Sequence, residues 1–464
     1  MTRHGLLDLT VDDTLDLPEL AEVLKHLRTS TKVSAHTVLR DAADTGIPAV
    51  QPRCGVGGHD EMRSLLQRLE TGAAPEILSL TIDSHTRLRR FDVAAETLRT
   101  APSHLNGYPL VNHGWKRGRE LDACVQAPLE IRHGSPDARD LFAVAIASGI
   151  TSFEGGGISY NLPYCKDVPL PVSLECWREV DAACGTLADA GVIVDRELFG
   201  TLTAVLVPPS LSVAITLLVA ILAARNGVRC VSIASPQGGA AAQDIAALRA
   251  IPRLARRYLP PAVDVFPVLH QFMGVFPRAR DKADALIRYG GLIGRLGGAA
   301  KIITKTNQEA HGIPDVEANI GGMRTTRLAT SELVDFVRVD ADRVEEEQHW
   351  IEREVDELVG PILAAGDTAA AIAQAFAAGT LDIPFSASIH ARSQVTPQRD
   401  SAGAIRYRET GELPFSQTTL QRHARLLEAG TRPGAKSAQA ISTMLRDINY
   451  FADDLDPVDS GNPS

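Results

Sequence analysis

The sequence predicts an α/β fold, a (β/α)8 TIM-type barrel with an N-terminal helical segment and a C-terminal helical and irregular extension. Three observations support it. From about Ile47 to Thr306, short β-branched runs alternate with longer amphipathic or Ala/Leu-rich stretches, the pattern of parallel strands joined by helices. Eight such runs are present, the number that closes a barrel. Polar side chains follow several of the runs directly, as they do at the mouth of such a barrel.

Taken in order, residues 1–45 form the N-terminal segment. The apolar period of Leu17–Arg28 predicts an amphipathic helix, and a second helix is expected around His36–Thr45, both covering the barrel or contacting another chain. The barrel is expected over residues 46–330. Its strands are read at Ala49–Gln51, Ile77–Ile82, Pro109–Asn112, Leu129–Arg132, Ile150–Phe153, Cys230–Ala234, Val263–Leu269 and Lys301–Thr304. Two further apolar runs, Val192–Val194 and Ala204–Val207, compete for a place, because the connection from 155 to 228 is otherwise unusually long. The apolar run Leu211–Ala224 is shorter than the roughly 20 residues of a membrane span. Pro208-Pro209 and Asn226-Gly227 bound it, so it reads as a buried helix.

Residues 331–464 form the extension. Helices are expected over 331–379, with the charged segment Arg343–Arg353 a solvated face. Pro384, Pro397, Pro414 and Pro433 then punctuate a less regular region, and the acidic end Asp453–Ser464 is expected to fray.

Composition narrows the function. With 464 residues, 44% hydrophobic and 22% charged, the chain can bury a large core. A net charge of −10 argues against a nucleic-acid partner, whose binding rests on concentrated Lys and Arg. Six scattered cysteines without a C-x-x-C pair suggest no zinc or other metal site. Together with the lack of a recognisable signal peptide, they make a reducing cytoplasm the expected location, with no membrane association.

The chemistry is expected at the mouth. Arg53, Arg87 and Arg132 follow separate strands or runs, and three guanidinium forks suit the two carboxylates of a diacid. Glu154 could accept a hydrogen bond from a substrate ammonium or remove a proton from it, and Tyr160 and Tyr164 could donate to carboxylate oxygens. An acidic amino acid fits that set. Each residue also has a plainer explanation. The arginines could be structural ion-pair partners, Glu154 a carboxylate neutralised by a nearby Arg, and the tyrosines packing residues. His133 could orient Arg132, touch substrate, or be a hydrogen-bonded core histidine. Gly155-Gly156-Gly157 could admit a ligand close to the backbone or simply make a tight turn. Lys305 and Glu309, four apart, could bind a ligand or form a surface pair.

Long motifs then carry a resemblance. IPAVQPRCGV, TIDSHTR, LNGYPLVNHG, IRHGSPDAR, TSFEGGGISYNLPY, VDRELFGTLTAVLVPPS, QDIAALR, HQFMGVFP and KTNQEAHGIPDVEAN make the chain, from about Ile47 to Arg408, resemble the large (E, or epsilon) subunit of methylaspartate mutase, also called glutamate mutase. The resemblance implies an adenosylcobalamin-dependent radical rearrangement of L-glutamate to threo-3-methylaspartate inside the barrel. It places Arg53, Arg87 and Arg132 on the substrate carboxylates with His133, Tyr160 and Tyr164, and the catalytic candidate Glu154 on the amino group. Gly55, Asn106, Pro163, Phe276, Lys305, Glu309 and Ile313 match positions that contact the cofactor, with Lys305 and Glu309 near the adenosyl ribose.

The D-x-H-x-x-G loop of cobalamin-binding domains is missing: Asp83-Ser-His85 continues as Thr-Arg-Leu. The resemblance therefore implies a separate small cobalamin-binding (sigma, S) subunit and an assembly of two large and two small subunits. Departures from the family pattern fall at Cys54, His85, His113, Phe272 and Asn307-Gln308, and more widely over Ser386–Gln398. A related barrel mutase or lyase for another acidic amino acid, or a non-catalytic glutamate-binding paralogue, is the alternative.

Overall fold

The computed structural model describes residues 2–5, 7–132, 134–200, 205–428 and 438–452. At its centre are eight parallel strands: β1 (Ala49–Gln51), β2 (Leu78–Thr81), β3 (Leu129–Arg132), β4 (Ser152–Glu154), β5 (Asp195–Phe199), β6 (Cys230–Pro236), β7 (Asp264–His270) and β8 (Lys301–Ile303). They pair in the order β1-β8-β7-β6-β5-β4-β3-β2, so that β2 to β8 lie beside their sequence neighbours and β1 pairs with β8, the closing contact of a (β/α)8 barrel.

The seam between β1 and β2 has no regular ladder, and the sequence explains why. Pro52 ends β1 and has no N–H to donate. The seam is instead stitched by the Ser79 hydroxyl, which donates to Pro52 O at 2.7 Å and accepts from Cys54 N at 3.1 Å, and by Thr81 N donating to Cys54 O at 2.8 Å.

Two strand assignments change. Residues 110–112 open the helix Leu110–Ala123 rather than a strand. Pro109 fixes its own φ near the value a helix start needs and cannot donate to a ladder, so the chain leaves the extended state after Tyr108, which still bridges Ile82. The strand missing from the expected set is β5. It lies just beyond Val192–Val194, and its five residues are all buried although three carry charge. Of Ala204–Val207, Ala204 lies outside the described residues, and 205–207 bend into the helix Pro209–Arg225, which is buried as expected.

The helix Ala35–Thr45 starts at Ser34, whose hydroxyl accepts from Thr37 N, and ends at Gly46 in the left-handed region. Its buried face, Ala35, Leu39 and Ala42, packs on Ala49, Ile77, Cys230 and Phe266 and so closes the N-terminal end of the barrel. Burying Leu39 alone contributes about 1.5–3 kcal/mol. The other expected helix of this segment is Leu20–Thr29, and a short hairpin of Thr2–His4 with Leu9–Val11 precedes it.

After the barrel come helices Ala341–Ala364 and Thr368–Ala378, a hairpin of Thr396–Arg399 with Ile405–Glu409, and helices Gln417–Glu428 and Ala438–Ile448. The segment Arg343–Arg353 is only partly a solvated face: Arg343, Glu345 and Glu346 are exposed, but Glu347 is buried and paired with Arg406 and Arg422. Pro433 and the acidic end Asp453–Ser464 lie outside the described residues. No single helix among the described residues is long and apolar enough to cross a membrane.

Candidate active site

Strand alternation decides which side chains enter the barrel. On β3 it turns Glu130 and Arg132 inward, on β4 Ser152 and Glu154, on β5 Asp195, Glu197 and Phe199, and Lys301 on β8. Arg132 is fully buried at the C-terminal end of β3. Its Nη1 donates to Glu130 Oε1 at 2.7 Å and Glu197 Oε1 at 2.9 Å; its Nη2 lies 2.8 Å from Glu154 Oε1 and 3.1 Å from His270 Nε2. Arginine cannot accept, so His270 Nε2 is the acceptor and the ring is neutral, with its proton on Nδ1. Phe199 stacks on that ring with centroids 5.3 Å apart. Four of the five guanidinium N–H groups are thereby used, and Nε–H has no hydrogen-bond partner among the described residues.

The loop after β4 carries the two tyrosines. Their rings stack at 6.1 Å and 19°. Burial, then the Glu154 carboxylate, pushes the Tyr160 phenol well above its ordinary value. Burial also raises Tyr164, opposed by Arg87 and Arg53, so both half-buried arginines lie within electrostatic reach of this phenol. Tyr164 nonetheless keeps 46% of its surface open, at the rim.

After β8, Lys305 is buried with its Nζ 2.6 Å from Glu309 Oε2. Burial, and then the charge of Arg53, lowers its ammonium to about 8. Arg53, Arg87, Arg132, Glu154, Tyr160, Tyr164, Lys305 and Glu309 thus form one electrostatically linked group at the C-terminal mouth. His133 lies outside the described residues.

The remaining expected contacts are spread around the same rim. Gly55 follows β1, where a Cβ would meet Thr81 O at 2.5 Å. Asn106, exposed, accepts from Ser84 N beside the short helix that carries Arg87. Pro163 is buried in the tyrosine loop, Ile313 is exposed beyond Glu309, and Phe276 packs against Phe272 in a separate aromatic group after β7. The glycine run Gly155–Gly157 packs on protein: a Cβ on Gly155, at φ +145°, would stand 2.3 Å from Trp177, and one on Gly157 would meet Leu174.

Sequence reasoning missed Glu130, Glu197 and Lys301, all fully buried beneath Arg132. The signal was there, in the inward alternation of Glu130 with Arg132 and of Asp195 with Glu197, once VDRELF is read as a strand.

Fold and mouth together define a (β/α)8-barrel enzyme whose reaction chamber is lined by paired charges. The sequence profile described as "Methylaspartate mutase E chain (MutE)" matches residues 30–450. The chain is 41% identical over 419 residues to the glutamate mutase epsilon subunit of Halobacterium salinarum, covering 89% of this chain and 86% of that one. It is 40% identical to the epsilon subunit of Haloarcula marismortui, covering 89% and 84%, and 35% identical to that of Treponema denticola, covering 96% and 92%. The chain belongs to the methylaspartate mutase E chain family and is an isomerase of that family.

Proposed function

We propose that this chain is the catalytic large subunit of an adenosylcobalamin-dependent mutase that interconverts L-glutamate and threo-3-methylaspartate. The observation that carries the proposal is the Arg132–Glu154 pair, a cation and an anion buried side by side where a zwitterionic diacid needs one of each. Nε–H and Nη2 share one edge of the guanidinium, the edge on which a carboxylate binds with two hydrogen bonds. A substrate carboxylate takes that edge as Glu154 turns from Nη2 to the substrate ammonium. Arg53, Arg87, His133, Tyr160 and Tyr164 hold the remaining carboxylate oxygens.

The rim residues fit the cofactor. Lys305 and Glu309 offer a donor and acceptors to ribose hydroxyls, and at Gly55 the backbone lies so close to Thr81 that only glycine fits there. Gly55, Asn106, Pro163, Phe276 and Ile313 complete that surface. Adenosylcobalamin, when bound, supplies the radical that starts the rearrangement. The chain's own residues hold the substrate still and exclude water from the barrel.

A small cobalamin-binding sigma subunit docks on the mouth, where Leu88, Tyr164, Val275 and Ile313 are exposed apolar side chains on four different loops. Two large and two small subunits make the assembly, which works in the cytoplasm. Residues 46–330 form the catalytic unit, with 1–45 and 331–464 flanking it.

The test is to mix the full chain with a small cobalamin-binding subunit and adenosylcobalamin and to follow conversion of L-glutamate. Formation of 3-methylaspartate that depends on both additions supports the proposal. Turnover of an acidic amino acid without either would indicate a lyase, and glutamate binding with no product a non-catalytic paralogue.

A further inference from the structure

Beneath Arg132 the barrel holds a closed ring of four charged side chains. Arg132 Nη1 bridges Oε1 of Glu130 and Oε1 of Glu197, at 2.7 and 2.9 Å. Lys301 Nζ bridges the other oxygens of the same two carboxylates, lying 2.5 Å from Glu197 Oε2 and in direct contact with Glu130 Oε2. All four side chains are fully buried and come from three strands, β3, β5 and β8. Taken alone, Arg132 between Glu130, Glu197 and Glu154 would be one cation among three anions. Lys301 supplies the second cation from below and holds both lower carboxylates turned up toward Nη1.

We infer that Lys301 is a positioning residue: through Glu130 and Glu197 it fixes the Nη1 end of Arg132, so that the Nε/Nη2 edge is presented to the substrate carboxylate. The inference rests on the reading that Arg132 binds substrate. The physical reason is that a guanidinium on a flexible side chain gains two simultaneous hydrogen bonds only when its plane is set beforehand, and two carboxylates anchored by a shared ammonium set it. Lys301 itself is below the edge that meets substrate, so its loss should weaken binding without changing the reaction step.

The experiment is steady-state kinetics on the complete enzyme, with small subunit and adenosylcobalamin, comparing Lys301→Met, Glu197→Gln and the double variant Glu130→Gln/Lys301→Met. Expected are a rise in KM for glutamate of tenfold or more in Lys301→Met with kcat within about threefold, a smaller rise in Glu197→Gln, and recovery of most of the lost KM in the double variant, where one charge of each sign has gone. If Lys301→Met does not fold, Glu197→Gln and the double variant decide. Wild-type KM in Glu197→Gln, or equal losses in KM and kcat with no recovery in the double variant, overturns the inference. Arg132→Lys separates the two levels. A raised KM there, with the ring variants neutral, removes only the role of Lys301, whereas wild-type KM in Arg132→Lys removes the substrate reading itself.

Discussion

Arg196 donates from Nη1 to the carbonyl of Phe153 at 2.7 Å and from Nη2 to that of Gly155 at 3.1 Å, gripping the backbone on both sides of Glu154. Its Nε meets Asp181 at 3.0 Å and its guanidinium lies 4.5 Å from the centre of Trp177. Arg196 faces away from the barrel interior, yet it sets where the Glu154 side chain begins. Replacing it by Met leaves Asp181 buried without its cation, a loss of about 3–5 kcal/mol. Denaturant unfolding of Arg196→Met should show a loss of that size; an unchanged midpoint would mean that the brace carries no load.

Arg132→Lys keeps the charge and loses the fork. We expect KM for glutamate to rise by an amount on the order of 2–5 kcal/mol in binding energy, as for truncation of one side of a buried charge pair. Steady-state kinetics checks it.

For Glu154→Gln the expected outcome is a larger drop in kcat than in substrate affinity, because in the proposed function its carboxylate exchanges Arg132 for the substrate ammonium during turnover. Proportionate loss in both would make Glu154 an anchor only.

Lys305 gives a pH dependence with opposite signs for activity and stability. Its ammonium, lowered from 10.5 to about 8 by burial and by Arg53, is present below that pH and lost above it. Activity that depends on the Lys305–Glu309 contact should fall as pH rises through about 8, and Lys305→Arg, charged throughout, should move that limb upward. The stability contribution of Lys305 runs the other way. The folded chain binds fewer protons than the unfolded one between about 8 and 10.5, so in that window its contribution to stability increases with pH. A pH–rate profile of both proteins, with unfolding curves at pH 7.5 and 9.5 on the wild type, reads both effects.

At Gly155 both the φ of +145° and the 2.3 Å approach to Trp177 oppose a side chain. Gly155→Ala should destabilise by about 1–3 kcal/mol, the usual size of local backbone strain. Thermal unfolding measures it, and a wild-type Tm would show that the loop relaxes without cost.

Most of the barrel was legible because its strands are short apolar runs with polar residues at their ends, and because Arg53, Arg87 and Glu154 stand at those ends. β5 was not, for a physical reason: Asp195, Arg196 and Glu197 look like a loop until the barrel gives each a buried partner. Asp195 receives hydrogen bonds from Ser152 and Ser232, Arg196 meets Asp181, and Glu197 meets Arg132 and Lys301. Pro109–Asn112 failed the other way, since apolar character alone does not separate a strand from the first turn of a helix. Partners such as Glu130 and Lys301, 171 positions apart, are joined only by barrel closure.

The helix Ala35–Thr45, wedged under the strands by Leu39, makes the barrel a vessel with a stoppered base. Molecules handled inside leave by the loop side through which they came. Whatever rests on those loops therefore governs departure as well as arrival, and loosening of that cover can set the pace of a full cycle even when the bond-making steps are fast.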